Sequence, residues 1–230
     1  MRPLIVAIDG PAGAGKSTVS KLLARRLGLS FVDSGALYRT VALSALRQGI
    51  VTDDDAALAA LVGRIRISFK ATADENRVYL DGEDVSAEIR TPEISLLASA
   101  VSARPVVRAG LLGLQRRLAL EAPVGAVLEG RDIGTVVFPD ADLKFFLEAS
   151  PDVRARRRYE ELFQKGTEST LDAVLADQTQ RDRNDASRAV APLKPADDAV
   201  RVDSSGLPLS EVVQRLERVI HERLSARGGA

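Results

Sequence analysis

The sequence predicts an α/β fold: a parallel-sheet core with helices on both faces and a small antiparallel insert. Two patterns carry that expectation. A continuous apolar run at residues 4–8 and largely apolar short runs at 29–32, 124–128, 143–147 and 199–202 recur between segments with helical spacing. Strands buried on both faces of a parallel sheet read this way. One stretch, Arg64-Ile65-Arg66-Ile67-Ser68-Phe69, alternates polar and apolar with period two instead, which marks an antiparallel strand. Strands alternating with helices imply crossovers of one hand.

The elements follow in order. The first apolar run ends at Asp9-Gly10. Residues 16–27 carry Val19, Leu22, Leu23 and Leu27 at helical spacing, with Gly28 as the stop. Residues 29–32 form a short strand, and 34–48 a helix capped near Ser34 and closed by Gly49. Thr52 with Asp55 three residues on resembles a capping box for a helix through Val62. Ile65 to about Ile89 reads as the antiparallel insert, with residues 77–80 as partner strand and Asp81-Gly82 as its turn. Thr91-Pro92-Glu93 opens a helix with Pro at its first position. Arg104-Pro105 breaks it, and a second helix runs to about Ala119. Ser150-Pro151-Asp152 starts a helix bearing Arg154, Arg156, Arg157 and Arg158. Residues 164–195 are polar. Leu209, Val212, Val213, Leu216, Val219, Ile220 and Leu224 mark an amphipathic C-terminal helix.

Composition excludes several chemistries. The 230 residues include 32 basic and 32 acidic side chains, one histidine and no cysteine. Without cysteine there is no disulfide scaffold, thiol nucleophile or thiolate metal site. The lone His221 argues against a histidine relay or a multi-histidine metal centre. Zero net charge argues against bulk binding to nucleic acid or anionic membrane. No apolar run approaches the roughly 20 residues of a membrane span, and residues 4–8 are too short for a secretory segment. The expectation is a single cytoplasmic domain over residues 1–230 that binds neither nucleic acid nor membrane. Of the basic residues only 6 are Lys and 26 are Arg.

The strongest motif is Gly10-Pro11-Ala12-Gly13-Ala14-Gly15-Lys16-Ser17, a G-x-x-x-x-G-K-[ST] loop between a buried strand and a helix. Its glycines let successive N–H groups point inward at phosphate oxygens. The helix N-terminus adds roughly half a positive charge. Lys16 suits the β- and γ-phosphates, and the Ser17 hydroxyl suits Mg²⁺. The loop therefore points to a nucleoside triphosphate. A guanine-reading N-K-x-D is absent, since neither Asn76 nor Asn184 sits in that pattern. A small-molecule kinase fits the size and the arginines, because guanidinium forks hold two phosphorylated substrates in line. The motif alone leaves open kinases acting on UMP, AMP or a non-nucleotide acceptor. It also leaves open a nucleotide-sensing module without acceptor chemistry.

Three further segments narrow this. They are Phe31-Val32-Asp33-Ser34-Gly35-Ala36-Leu37-Tyr38-Arg39; Glu129-Gly130-Arg131-Asp132-Ile133-Gly134-Thr135-Val136-Val137-Phe138-Pro139; and Arg181-Asp182-Arg183-Asn184-Asp185-Ala186-Ser187-Arg188-Ala189-Val190-Ala191-Pro192-Leu193. With Ile8 through Thr18 they resemble the bacterial cytidylate kinases, from about Ile5 to Leu224. The resemblance implies transfer of the ATP γ-phosphate to CMP or dCMP by a P-loop kinase. It implies a monophosphate-binding insert at about 63–105, a lid at about 154–190, Mg²⁺ with ATP as co-substrate, and a monomer. It matches Gly10, Pro11, Ala12, Gly13, Ala14, Gly15, Lys16, Ser17 and Thr18 to the ATP loop, with Ser17 on the metal. Arg154, with Arg157 or Arg158, resembles the lid arginines that close on the triphosphate, and Arg157 is taken into the ATP-binding set. Ser34, Arg39, Ser99, Arg108, Asp132, Arg181, Asp185 and Arg188 match the CMP-binding set. Lys16, Arg131, Asp132 and Arg188 match the catalytic positions. One departure is Glu129, where the family more often has Asp.

Overall fold

The computed structural model describes residues 2–71, 76–164 and 166–228. Positions 72–75 of the expected insert and position 165 of the expected lid lie outside the described residues. The chain divides into two compact units. One is Met1–Val32 with Ala119–Ala230, the other Asp33–Leu118.

The first unit is built on a five-stranded sheet. Its strands are β1 (Leu4–Asp9), β2 (Ser30–Asp33), β6 (Gly125–Gly130), β7 (Leu143–Glu148) and β8 (Val200–Asp203), in the order β2-β6-β1-β7-β8. β1 pairs in parallel with β6 and with β7, and β7 in parallel with β8. β1 is therefore central, and its apolar run has both faces covered, as continuous hydrophobicity requires. Val6, Ile8, Val127 and Phe145 look to one face, where α1 (Lys16–Leu27) brings Val19 and Leu23. α8 (Leu209–Gly228) brings Val212, Val213, Leu216 and Ile220 to the same core. Ile5, Ala7, Ala126 and Leu128 alternate with that set and are equally buried. The β1–β6 register sets Ile8 opposite Glu129 and Asp9 opposite Gly130. Both strands thus deliver charged residues to the same carboxyl end of the sheet, where open α/β sheets hold ligands.

α6 (Pro151–Gln164) and α7 (Leu171–Ala186) also belong to this unit. α7 lies within the stretch that the sequence leaves as undivided polar chain. Thr170 caps it by accepting the Ala173 N–H at 3.2 Å. Its pattern is weak because it buries only Val174, Gln178 and Asp185.

The second unit holds α2 (Ser34–Arg47), α3 (Asp55–Arg64), β3 (Ile67–Ala71), β4 (Asn76–Leu80), β5 (Glu83–Asp84), α4 (Pro92–Ser102) and α5 (Pro105–Leu120). β3, β4 and β5 form the expected antiparallel sheet, in that order. Its core gathers Leu37, Val41, Leu58, Leu61, Val78, Ile89, Ile94, Val101 and Leu111. Three details differ from the sequence reading. Asp33 rather than Ser34 caps α2, accepting the Ala36 N–H at 2.9 Å. Asp54 rather than Thr52 caps α3, accepting the Ala57 N–H at 2.9 Å. Three consecutive aspartates at 53–55 had made that boundary ambiguous. The strand begins at Ile67, since Ile65 terminates α3. Among the described residues no single helix is long and apolar enough to cross a membrane.

Phe145 is 1% exposed on the central face of β7. Phe145→Ala should lower the unfolding free energy by about 3–5 kcal/mol in a urea titration, through lost transfer energy and an unfilled cavity.

Candidate active site

The loop between β1 and α1 has the backbone that its glycines predict. Gly10, Gly13 and Gly15 have φ of 147°, 77° and 89°, values that side chains beyond Cα rarely tolerate. A Cβ at Gly10 would also lie 2.0 Å from the Leu147 carbonyl oxygen. α1 starts on Gly15, and no side chain caps it. Its first N–H groups are thus left for an anion, as in other helix-terminal phosphate sites. Ser17 and Thr18 are exposed on that first turn.

Lys16 is buried at the head of α1, and its Nζ donates to the Pro11 carbonyl at 2.7 Å. Burial lowers its pKa to about 7; Arg131 lowers it too, and Arg181 adds to the same effect, while Glu129 and Asp9 oppose. Arg131 reaches Asp185 with Nε at 2.8 Å from Oδ2. Arg188 pairs with the other oxygen of the same carboxylate. Burial would raise the Asp185 pKa, but Arg131, Arg188 and Arg181 outweigh it and hold the group below its ordinary value. One buried carboxylate thus organises two guanidinium groups from different segments beside a desolvated lysine. The expected residues Lys16, Arg131, Arg181, Asp185 and Arg188 are brought together in the first unit.

Asp132 follows β6 and is buried. It opens a single π-helical turn, Ile133–Val137, from which its side chain accepts no capping hydrogen bond. Instead the Asp9 carboxylate accepts the Ile133 N–H at 2.8 Å and the Gly134 N–H at 2.7 Å. Burial raises the Asp9 pKa to about 6, against the lowering effect of these two bonds.

The remaining expected residues lie in the second unit. Arg108 is buried on α5, donates from Nη1 to the Ser102 carbonyl at 3.0 Å, and lies over the Tyr38 ring at 5.4 Å. Ser34 is buried at the start of α2, Arg39 half-buried one turn later, and Ser99 half-buried on α4.

The family model described as Cytidylate kinase matches residues 6–222. A cytidylate kinase of Geobacter sulfurreducens is 57% identical over 229 residues, covering 100% of this chain and 97% of that relative. The chain belongs to the cytidylate kinase family. A second cytidylate kinase, from Geobacter sp. strain M21, is 55% identical over 222 residues, with 96% and 94% coverage. A solved structure of an uncharacterized protein from Eubacterium ventriosum has a TM-score of 0.51 at 11% identity, with 95% and 98% coverage. It supports the fold alone.

Within this cytidylate kinase family member, the arginine run on α6 divides by environment. Arg154 is buried: Nη1 donates to the Ala12 carbonyl at 3.0 Å, Nε to the Ala149 carbonyl at 2.9 Å, and Nη2 pairs with Asp182 at 2.7 Å. It braces the phosphate loop. Arg157 donates to Ser204 from Nη1 to Oγ at 3.1 Å and from Nη2 to the carbonyl at 2.7 Å. Ser204 Oγ in turn donates to the Ala14 carbonyl at 3.1 Å. Arg158 pairs with Glu161 on the surface. Sequence reasoning missed Asp9 as the cap of the Asp132 turn, and Ser204 and Gln178 as supports of the loop. Gln178 leaves no room for a Cβ at Gly13, which would lie 2.9 Å from its Nε2. Asp9 had a signal, since it stands between strand and loop; Ser204 and Gln178 had none.

The lowered Lys16 pKa has a measurable consequence. Above pH 7 part of the Lys16 population is neutral, and a bound polyphosphate restores the charge. Binding of ATP with Mg²⁺ at pH 8 should therefore take up a fraction of a proton, read by calorimetry in buffers of different ionisation enthalpy. Equal binding enthalpies in all buffers would contradict this.

Proposed function

We propose that the chain transfers the γ-phosphate of ATP to CMP or dCMP, giving CDP or dCDP for pyrimidine nucleotide metabolism. One observation carries the reading within the family: a set of cations, buried Lys16 with half-buried Arg131, Arg181 and Arg188, organised by carboxylates beside a glycine loop at the carboxyl end of β1. Two phosphorylated substrates brought into line carry many negative charges. Fixed guanidinium forks hold such charges without reorganising during transfer.

In this reading residues 10–18 cradle the ATP phosphates, and Lys16 meets the β- and γ-oxygens. Arg131 and Arg188 hold the transferring phosphoryl group, and Asp185 keeps both in register. Arg181 and Asp185 serve the acceptor sugar. Arg157 serves the triphosphate from α6. The second unit carries Ser34, Arg39, Ser99 and Arg108, which the family resemblance assigns to the acceptor nucleotide. The insert at about 63–105 belongs to the monophosphate-binding region, and the lid at about 154–190 closes over the substrates and excludes water. No general base is required, because a phosphate monoester oxygen is already a nucleophile, so positioning and charge stabilisation do the work.

The donor set fits Mg²⁺. Ser17 offers an exposed hydroxyl beside the cradle, and Glu129 brings a carboxylate within electrostatic reach of Lys16. Among the described residues no group of three or more acidic, histidine or cysteine side chains forms a metal cage. Mg²⁺ characteristically binds through few protein oxygens plus substrate phosphates. When bound, it would neutralise charge developing on the phosphate oxygens.

Asp132 carries the choice of base. A carboxylate accepts from the cytosine N4 amino group, whereas uracil presents an oxygen that repels it. The mismatch gives roughly ten- to hundredfold discrimination. Asp132→Ala should reduce the CMP-to-UMP ratio of kcat/KM by about tenfold, with KM for ATP changed less than about twofold. Lys16→Ala should lower kcat by about a hundredfold or more while thermal unfolding stays cooperative. An unchanged ratio removes Asp132 from base recognition, and a near-normal rate removes Lys16 from the cradle.

A further inference from the structure

Gln178 and Asp182 stand four residues apart on α7, one helical turn from the other on the same face. Both meet Arg154, in the first turn of α6. Gln178 Nε2 donates to the Arg154 carbonyl at 3.4 Å, and Asp182 Oδ2 pairs with Arg154 Nη2 at 2.7 Å. Successive turns of one helix thus hold Arg154 at its backbone and at its guanidinium. The other guanidinium donors go to main-chain oxygens, Nη1 to Ala12 at 3.0 Å and Nε to Ala149 at 2.9 Å. The phosphate loop packs directly on this arrangement. A Cβ on Gly13 would lie 3.0 Å from Arg154 Cβ and 2.9 Å from Gln178 Nε2.

Charge and shape together give Asp182 a particular part. The Arg154 side chain is 5% exposed, and a guanidinium so far from water needs a counter-charge. Asp182 supplies one. The guanidinium is also a rigid planar fork. With Nε fixed on Ala149 and Nη2 on Asp182, the direction of Nη1 is set, and Nη1 is the donor that holds Ala12.

We propose that Asp182 is a positioning residue for the phosphate loop: by orienting the Arg154 fork it keeps the Ala12 carbonyl turned away from the cradle, so that the loop N–H groups face the ATP phosphates. The inference rests on the reading that residues 10–18 bind ATP. It assigns Asp182 no contact with either substrate. Three residues further along α7, Asp185 takes Arg131. One helix therefore sets the donor loop through Asp182 and the phosphate-holding forks through Asp185.

The test is Asp182→Ala, which places a strong helix former in α7. KM for ATP should rise by about fivefold or more, with KM for CMP held within about twofold. Asp182→Asn keeps a hydrogen-bond acceptor without the charge and should give a smaller rise in the same direction. It supplies the readout should Asp182→Ala not fold. A double-mutant cycle with Arg154→Gln asks whether Asp182 acts through the guanidinium. In the Arg154→Gln background, loss of Asp182 should change KM for ATP by less than about twofold. Additive effects in that cycle overturn the inference. A pair serving stability alone would lower the unfolding temperature and leave both KM values in place, which overturns it too. So does a fall in KM for ATP, the result if Asp182 only restrains an arginine that otherwise reaches the triphosphate. A rise in KM for CMP as large as that for ATP has the same force. Lys16→Ala, with ATP binding read by calorimetry, separates the two levels. If binding weakens there and KM for ATP is unchanged in Asp182→Ala, only the role of Asp182 falls; if binding stays intact, the loop reading falls and the role of Asp182 with it.

Discussion

Placing several cations together out of water is unfavourable, and the active end of the sheet is arranged around that constraint. Lys16 is buried beside Arg131 and Arg181, and its pKa is lowered accordingly. Asp185 holds Arg131 and Arg188 on its two oxygens. Glu129 and Asp9 offset part of the charge on Lys16. Phosphate oxygens are the chemical complement of such a set. The parallel sheet makes this possible. β1 and β6 run side by side in the same direction, so the residues that end each strand arrive at one place.

The supports around the cradle follow from the same need. A loop rich in glycine is inherently mobile, and its carbonyls must face away from an incoming anion. Arg154 binds the Ala12 carbonyl, Ser204 the Ala14 carbonyl, and Lys16 the Pro11 carbonyl. Three donors thus take carbonyl oxygens from one short loop and leave its N–H groups for phosphate. The arginine excess in the sequence acquires a local meaning here: some guanidinium groups are arranged for substrates, and others, like Arg154, brace backbone.

Much of this was legible in the chain itself. The five parallel strands appear as short, largely apolar runs, and the antiparallel insert as a period-two stretch. The G-x-x-x-x-G-K-S loop announces its own geometry, because only glycines reach φ values near 80° without strain. Helix starts were less legible. Asp33 and Asp54 cap where Ser34 and Thr52 had been expected, since neighbouring residues of equal capping ability compete and tertiary packing decides. α7 was hidden because a helix burying only Val174, Gln178 and Asp185 has no apolar stripe. The contact of Asp9 with residues 133 and 134 spans 124 and 125 positions of sequence, and no local pattern encodes so distant a pairing. The split within the arginine run at 154–158 was equally invisible, because burial, not residue type, separates Arg154 from Arg158.

The central claim is that this cationic end of the sheet joins ATP to a cytosine monophosphate. An acceptor panel tests it most directly, with ADP release from ATP and Mg²⁺ measured in the presence of CMP, dCMP, UMP, AMP or no acceptor. The account predicts rapid release with CMP or dCMP, release slower by roughly ten- to hundredfold with UMP, and only background release without acceptor. Release that is fastest with AMP, or that proceeds equally well with no acceptor, would contradict it.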